Sequence, residues 1–282
     1  MIPAIIISCS AVVLALAVWL FLIAPSLSRG LRQKTERYKS VRYAHRGLHG
    51  SRDGRTVAEN SLSAFRLAVE HGFGIELDTR VSSDGEVIVF HDDTLDRVTG
   101  VSGRPEELTA AELAALSLSG TEDGVPTLRE VLKLVDGKVP LLVEIKETGG
   151  DHTVAEKTAE LLREYRGDYI VESFNPLTLA VIKKLLPGTP RGFLADKLTE
   201  KDEYKSIKYR IVQRFLLNFL ARPSFIAMQK SRIGMAPLPV IRGLFKTPTL
   251  AWTITSAEEE AAAYEAGFDG VIFEQYIPNQ KS

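Results

Sequence analysis

The sequence predicts an α/β fold, a closed (β/α)8-type barrel of parallel strands preceded by one N-terminal transmembrane helix. Short apolar runs rich in strand-forming residues alternate with helical patterns along most of the chain, as in a parallel sheet covered by helices. The length of 282 residues and the hydrophobic content of 45% suit one large domain with a short additional segment. That segment is the N-terminus, where residues 2–28 carry no charge.

The uncharged N-terminus contains the run AIIISCSAVVLALAVWLFLIA. A bilayer core requires roughly 20 apolar residues in a helix, so residues 1–28 are predicted to form a transmembrane helix. A cleaved signal peptide is the alternative, but no basic segment precedes the apolar run. The N-terminus therefore predicts a membrane anchor.

A basic segment follows the apolar run. Between Arg29 and Arg42, six Lys or Arg residues stand against a single acid, Glu36. We interpret residues 29–40 as a basic juxtamembrane linker and residues 41–282 as the barrel. By the positive-inside rule, this flank stays in the cytoplasm. The pattern predicts a single-pass membrane protein whose folded domain lies on the cytoplasmic side.

Composition excludes several classes of protein. The net charge of −1 provides no overall attraction for nucleic acid, so no nucleic-acid partner is expected. The single cysteine, Cys9, excludes an intrachain disulfide framework and a cysteine-based zinc site.

Nine apolar runs are predicted as strands, one more than an eight-stranded barrel needs. One of them is therefore expected to be irregular or wrongly assigned. The predicted strands are Val41–Ala44, Gly74–Thr79, Val87–Phe90, Leu141–Ile145, Tyr169–Val171, Gly192–Leu194, Phe225–Met228, Leu250–Thr253 and Gly270–Phe273.

Helical patterns separate these runs, and capping residues support three of them. Asn60 precedes the first helix, and the pairs Thr127 with Glu130 and Ser256 with Glu259 are spaced as capping boxes. The predicted helices are Ser61–His71, Thr109–Leu116, Leu128–Val135, Thr153–Tyr165, Pro176–Leu186 and Ala257–Ala266.

Ionisable residues occur inside strands that should be almost purely apolar. In GIELDTR, Glu76 and Asp78 share one face of a strand, and in LLVEIKE, Glu144 and Lys146 share one face of another. Three carboxylates without a nearby cysteine suit a hard divalent ion such as Ca²⁺ or Mg²⁺. The alternative is that Glu144 pairs with Lys146 and the other two acids pair with arginines such as Arg80.

Two of the five histidines end predicted strands in the same manner, His45 in AHRG and His91 in VFHDD. In a parallel barrel, catalytic groups gather at the carboxyl ends of the strands. Two imidazoles beside a metal could divide general-acid and general-base work, because both titrate near neutral pH. Arg46 would provide a cationic fork for a phosphate. The other three histidines are interpreted as loop or helix-end residues.

These motifs resemble those of the glycerophosphodiester phosphodiesterase family, a TIM-barrel fold related to phosphatidylinositol phospholipase C. The segments AHRG, ENS, ELDTRVSSDGEVIVFHDDTLDRVTGVSG, VEIK, ESF, WTIT and GFDGVIFE appear in the family's order between Tyr43 and Phe273. The resemblance implies an enzyme that hydrolyses glycerophosphodiesters to an alcohol and glycerol 3-phosphate.

The resemblance also implies a role for each candidate residue. His45 and His91 would be the acid/base pair, and Glu76, Asp78 and Glu144 the ligands of a divalent metal. The implied substrate-binding residues are Arg46, Lys146, Glu59, Asn60 and Trp252, of which Trp252 would line the pocket for the alcohol portion. The chain departs from the family at Ala58, at Ser61 and at Phe273–Glu274, but no acid/base histidine or metal ligand is missing.

A basic insert at about 200–224 is longer than a barrel connection requires. Tyr204, Ile207, Ile211, Phe215 and Phe219 have helical spacing, with basic residues mostly on other faces. Such a helix could lie on an anionic membrane surface or pack on the barrel with its lysines in water. With the N-terminal anchor, the pattern favours membrane lipid as a partner.

Three functions are consistent with these features. The first is metal-dependent hydrolysis of glycerophosphodiesters. The second is a lysophospholipase D that acts on membrane lysophospholipids. The third is a non-catalytic membrane adaptor, against which the intact set of histidines and carboxylates argues.

Overall fold

The computed structural model describes residues 2–52, 54–147, 150–196 and 206–279. Its strands are β1 (Arg42–Ala44), β2 (Gly50–Arg52), β3 (Arg55–Val57), β4 (Gly74–Val81), β5 (Val87–Val89), β6 (Leu141–Ile145), β7 (Tyr169–Ser173), β8 (Arg191–Ala195), β9 (Phe225–Gln229), β10 (Thr249–Ile254) and β11 (Gly270–Phe273).

Eight parallel strands close the predicted barrel. The order around it is β1, β4, β6, β7, β8, β9, β10 and β11, and β11 pairs with β1 to complete the circle. The ninth predicted strand is β5, which lies outside the barrel. It pairs antiparallel with the end of β4, with Thr79 opposite Val89. The extra predicted strand is therefore the second arm of a hairpin.

The helices are α1 (Ile2–Ile23), α2 (Arg29–Glu36), α3 (Leu62–Glu70), α4 (Asp96–Thr99), α5 (Ala110–Ala114), α6 (Leu128–Val135), α7 (Thr153–Glu164), α8 (Pro176–Leu185), α9 (Ile207–Gln213), α10 (Asn218–Ala221), α11 (Leu238–Phe245) and α12 (Ala257–Glu265). All six helices predicted from sequence form, and their ends differ from the predicted bounds mainly by one or two residues.

The predicted capping residues are confirmed in part. The Thr127 side chain accepts a hydrogen bond from Glu130 N, and the Glu130 carboxylate accepts one from Thr127 N. Helix α3, however, is capped by Ser61, whose hydroxyl accepts from Ala64 N. Asn60 is therefore free to point elsewhere, and it contributes to the site described below.

Strand alternation produces two apolar layers. Val143 and Val171 point outward into the layer between barrel and helices. Leu142, Ile170 and Phe225 point into the barrel interior. Inward-pointing side chains near the carboxyl ends of the strands therefore meet at one end of the barrel.

The opposite, amino-terminal end of the barrel is closed by the segment around α2. Lys34 Nζ donates to Gly188 O at 2.9 Å, just before β8, and Ser40 N donates to Asp269 O at 2.6 Å, just before β11. Tyr38 is 8% exposed and packs with the interior cluster. Residues 29–40, interpreted from sequence as a linker, thus form part of the layer that closes the amino-terminal end of the barrel, which we call its floor.

Helix α1 ends against the insert. Asn218 Nδ2 donates to Ile23 O at 3.0 Å, and the rings of Phe21 and Phe219 are 5.7 Å apart. Within the described parts of the chain, no helix is long and apolar enough to cross a membrane. The predicted transmembrane helix is therefore not supported.

The basic insert does not form the single helix that its spacing predicts. Residues 200–205, including Tyr204, lie outside the described residues. Helix α9 ends at Gln213, and Phe215 has a left-handed φ of 60°. Phe215 is 1% exposed and packs edge-on against Phe193. The helix ends before Phe215 because the chain must turn to bury this ring against the barrel.

Candidate active site

Three carboxylates meet at the carboxyl end of two neighbouring barrel strands. Glu76 and Asp78 project inward from β4, and Glu144 projects from β6, where it lies in register with Asp78. Their ligand atoms lie within 4.8 Å of one another, and all three residues are buried. The structure thus brings together the three acids that the sequence predicts as metal ligands.

Two cations lie against these acids. Lys146 Nζ is 2.7 Å from Glu144 Oε1 and 3.2 Å from Asp78 Oδ1. Arg46 donates its backbone N–H to Glu76 Oε2 at 2.8 Å, and its Nε is 3.6 Å from Asp78 Oδ2. The two predicted phosphate-binding residues are therefore next to the acid cluster.

The pairing of Glu144 with Lys146, expected if the acids are neutralised by cations, is present, but the arginine beside Glu76 and Asp78 is Arg46 and not Arg80. The guanidinium of Arg80 donates to the carbonyl oxygen of His91 and pairs with Asp93 and Glu106. Arg80 therefore anchors the loop that carries His91.

Burial and charge give the three acids different proton affinities. Burial, together with the charges of Asp78 and Glu144, raises the pKa of Glu76 well above its usual value. Burial raises the pKa of Glu144 to about 7, although Lys146 opposes it. Burial also acts to raise the pKa of Asp78, but the charges of Lys146, His91 and Arg46 outweigh it and hold that pKa well below its usual value. This concentration of negative charge is what a bound cation would relieve.

His45 follows β1 and has a carboxylate partner. Its Nδ1 lies 2.8 Å from Glu274 Oε2, and His49 Nε2 lies 3.7 Å from the same oxygen. The hydrogen bond with His45 and the nearby ring of His49 lower the pKa of Glu274, which is therefore ionised. His49, interpreted from sequence as an ordinary loop residue, belongs to the surroundings of His45.

His91 lies at the same end of the barrel as His45, but it follows a hairpin strand instead of a barrel strand. It follows the antiparallel strand β5, which folds back along β4 so that Phe90 N donates to Asp78 O. His91 Nδ1 lies 2.6 Å from Asp92 Oδ1. Burial lowers the pKa of both His45 and His91 below the usual histidine value.

Glu59 and Asn60 support the other site residues. Asn60 Nδ2 donates to Asp78 Oδ2 at 2.8 Å. The Glu59 carboxylate accepts from Arg46 Nη1 at 2.7 Å and from both terminal nitrogens of Arg97. The contacts made by these two residues hold Asp78 and Arg46 in place.

Arg97 is a site residue that sequence reasoning missed. Besides Glu59, it donates to Asp92 Oδ2 at 2.5 Å. A continuous series of ion pairs therefore runs from His91 through Asp92, Arg97 and Glu59 to Arg46. Its only sequence signal is its place inside the segment HDDTLDR.

A cavity of about 790 Å³ opens over these groups. Its polar lining includes the two predicted acid/base histidines, the cations Arg46 and Lys146, and the acids Glu76 and Glu144. Apolar side chains also line the cavity, among them Trp252, which is in edge-to-face contact with Phe174 at 5.9 Å. The apolar wall is completed by Leu194, Tyr209, Val212 and Ile272. The cavity can therefore take a molecule with an anionic centre and a less polar arm.

Fold and site together define a barrel-type hydrolase of phosphoric diesters, because acids, cations and two imidazoles converge where such a barrel performs its chemistry. Residues 45–276 match the glycerophosphoryl diester phosphodiesterase family, and the chain belongs to that family. The predicted enzyme class is confirmed at this level.

Known relatives agree with this assignment. A glycerophosphodiester phosphodiesterase of Caldanaerobacter subterraneus subsp. tengcongensis is 29% identical over 248 residues, which is 83% of this chain and 93% of the relative. A human lysophospholipase D is 28% identical over 152 residues, 49% of this chain and 46% of the relative. An Oleispira antarctica phosphodiesterase, solved with the product sn-glycerol-3-phosphate, has a TM-score of 0.70 at 24% identity and covers 85% of this chain and 94% of that structure.

Proposed function

We propose that this protein is a divalent-metal-dependent glycerophosphodiester phosphodiesterase that releases an alcohol and glycerol 3-phosphate. The observation that carries the proposal is the meeting of the acid cluster and both histidines in one cavity. The adaptor alternative is weakened by the same observation, because a scaffold has no use for three buried acids that repel one another.

The residues present fit a hard divalent ion. Three carboxylates with ligand atoms within 4.8 Å form an oxygen-only donor set, which Ca²⁺ and Mg²⁺ prefer. Burial, together with the charges of Asp78 and Glu144, raises the pKa of Glu76. Three carboxylates stand against two nearby cations, Lys146 and Arg46, so a divalent ion would offset the remaining negative charge. Glu76, Asp78 and Glu144 would hold the ion. When bound, it would supply positive charge to the non-bridging phosphate oxygens.

The protein's own groups perform the remaining work. Arg46 and Lys146 lie beside the acids and would bind the phosphate. Of His45 and His91, one would take a proton from the nucleophile, which is water or a neighbouring substrate hydroxyl, and the other would protonate the departing alcohol. Glu274 and Asp92 lie on the Nδ1 atoms, which leaves each Nε2 for the reaction.

The test measures glycerol 3-phosphate release from glycerophosphocholine after chelation and after addition of Ca²⁺ or Mg²⁺. His45→Ala and His91→Ala should each lower kcat by about 10² or more, because acid/base groups contribute 10² to 10⁴. His71→Ala, which removes a histidine at the end of α3, is the matched control. Activity within about tenfold of wild type in either site variant contradicts the proposed roles.

A lysophospholipase D activity is the second candidate. The relative of that name and the apolar cavity wall formed by Phe174, Leu194 and Trp252 support it. Comparing kcat/KM for glycerophosphocholine with that for lysophosphatidylcholine separates the two activities. A clear preference for the lysolipid would replace the first candidate by the second.

We also propose attachment to a membrane, with the barrel on the cytoplasmic side. The uncharged N-terminus, the exposed apolar side chains of Val12, Val13 and Leu14, and the exposed basic residues Lys208 and Arg210 support lipid as a partner. Cell fractionation of the full chain tests the anchor, and full recovery in the soluble fraction would refute it. Co-sedimentation with liposomes of differing anionic content tests whether the basic insert binds to lipid.

A further inference from the structure

Three side chains form a second group of possible metal ligands, separate from the acid cluster. His45, His49 and Glu274 each offer one ligand atom, and these atoms lie within 4.8 Å of one another. Two imidazole nitrogens and one carboxylate oxygen are ligands that transition metals such as Zn²⁺ prefer, whereas Ca²⁺ and Mg²⁺ prefer oxygen alone. This His–His–Glu group therefore suits a different kind of ion from the acid cluster.

The distances within the His–His–Glu group fit a tetrahedral ion. With metal–ligand distances of about 2.1 Å, the ligand atoms of zinc lie about 3.4 Å apart. His45 Nδ1 is 2.8 Å from Glu274 Oε2, and His49 Nε2 is 3.7 Å from the same oxygen, so the two separations bracket that value. The three side chains are 18%, 19% and 21% exposed. An ion can therefore reach them from solvent, and water can supply the fourth ligand.

The backbone brings the three ligands together without an ion. His45 and Glu274 follow the paired strands β1 and β11, and His45 N donates to Phe273 O at 2.8 Å. His49 returns toward them because the chain turns at Gly47, which has a φ of 79°. Little of the chain has to be ordered when the ion binds, and such preorganisation favours affinity.

We propose that His45, His49 and Glu274 form an inhibitory site for a transition-metal ion, with Zn²⁺ as the probe. A metal on Nδ1 leaves the single proton of a neutral imidazole on Nε2, so His45 could no longer accept a proton there. It could not readily release that proton either, because the product would be an imidazolate. The inhibitory effect rests on the proposed function, whereas the binding of the metal does not.

Calorimetry on the full chain tests the binding, with Zn²⁺ titrated in the presence of excess Mg²⁺. His49→Ala should lower the Zn²⁺ affinity by at least about tenfold, because even residues that only support metal ligands contribute about 10- to 100-fold. The same zinc binding should remain in Asp78→Asn, which alters the acid cluster instead. His152→Ala is the matched control, since His152 also pairs with a carboxylate, Glu147, but belongs to no such group of three in the described part of the chain.

The wild type alone provides a second measurement, which does not depend on how a variant folds. Four-coordinate Co²⁺ absorbs visible light strongly, whereas Co²⁺ in a six-coordinate oxygen site absorbs weakly. Added Co²⁺ should give the strong spectrum, and Zn²⁺ should abolish it by displacement. Only the weak spectrum, or no zinc binding by the wild type, would overturn the inference.

Inhibition is measured on glycerophosphocholine hydrolysis supported by Ca²⁺ or Mg²⁺, with each variant compared with its own zinc-free rate. The Zn²⁺ concentration for half-inhibition should rise at least about tenfold in His49→Ala and stay unchanged in His152→Ala. Equal inhibition of His49→Ala and the wild type would place the zinc at the acid cluster and refute the inhibitory site.

Failure of the proposed function is recognised separately, as absence of hydrolysis by the wild type with any divalent ion. Calorimetry and the Co²⁺ spectrum still test the metal site in that case. Zinc binding that is lost in His49→Ala and kept in Asp78→Asn would support the site, and equal affinity in His49→Ala and the wild type would refute it.

Discussion

Each candidate acid/base histidine has a carboxylate on Nδ1, Glu274 for His45 and Asp92 for His91. A carboxylate in this position favours the tautomer that carries the proton on Nδ1 and leaves Nε2 as the acceptor. The two pairs arise differently. Asp92 is the neighbour of His91 in the chain, whereas Glu274 comes from the end of β11, which pairs with β1.

Glu274→Gln should lower kcat about 10²-fold with little change in KM, because an amide offers His45 a donor as readily as an acceptor and so populates the wrong tautomer. The imidazole ¹⁵N shifts of His45 should report the change. Glu265→Gln, an exposed position on α12, is the control. Unchanged kcat would show that Glu274 has no part in orienting His45.

Arg97→Ala should lower kcat about tenfold, because Asp92 and Glu59 would lose the cation that links the loops carrying His91 and Arg46. Arg97→Lys should recover only part of the loss, since one ammonium cannot replace a guanidinium bound to two carboxylates. Steady-state kinetics with Arg66→Ala as an exposed control tests this. A full rescue by lysine would reduce the role of Arg97 to charge alone.

The residues that could be predicted from sequence are those whose position along a strand determines where they point. Glu76, Asp78 and Glu144 meet because strand alternation and a shared barrel end require it. The pairing of Asn60 with Asp78, or of Glu274 with His45, depends on how separate loops pack, and sequence spacing contains no such information. Asparagine is also a residue type favoured at helix N-caps, so Asn60 was interpreted as a cap and its contact with Asp78 was not predicted.

At the level of elements, the β4–β5 hairpin explains why nine strands were predicted for an eight-stranded barrel. Residues 82–85 read SSDG, and Gly85 has a φ of 83° while Ser82 N donates to Glu86 O. The Asp84-Gly85 pair between two apolar runs is typical of a hairpin turn, although residues 87–90 were predicted only as one of nine strands. What the sequence could not show is that the hairpin brings His91 back to the barrel end.

Residues 29–40, which close the amino-terminal end of the barrel, should contribute to the stability of the protein. Tyr38→Ala should lower the free energy of unfolding by about 3 kcal/mol, because it removes a large ring from the closed end of the barrel. Tyr38→Phe should cost much less, since it removes only the long contacts of the hydroxyl with Asp168 and Tyr169 O. Chemical denaturation of both variants measures the difference. Equal losses would place the stabilisation in the hydroxyl contacts instead of the ring.

For the molecule as a whole, the acid cluster should make stabilisation by a divalent ion increase with pH. The pKa of Glu144 is raised from about 4.5 to about 7. Between these pH values the carboxyl is ionised in the unfolded chain but stays protonated in the folded protein. Without an ion, this group's contribution to stability is present below about pH 4.5 and is lost as the pH rises through about 7. An ion that binds the ionised form offsets the loss.

The measurement is the difference in Tm with millimolar Ca²⁺ or Mg²⁺ and with chelator, from about pH 5 to pH 7.5. The difference should grow by roughly 5 °C over this range. Effects of His45 and His91 that do not depend on the ion cancel in the difference. Asp78→Asn, which replaces a charged carboxylate ligand by a neutral amide oxygen, should flatten the curve. A flat curve in the wild type would argue against an ion at this site.

The floor beneath the barrel also determines where the chain can be cut. A recombinant protein that begins at Arg42, the first residue of β1, would omit α2 and Tyr38 and leave Leu142, Ile170 and Phe225 open to water at one end. Such a fragment would be expected to aggregate even though every residue at the pocket is present. An expression boundary before Ile23, which is fully buried and whose carbonyl oxygen accepts from Asn218, keeps the segment that the barrel needs.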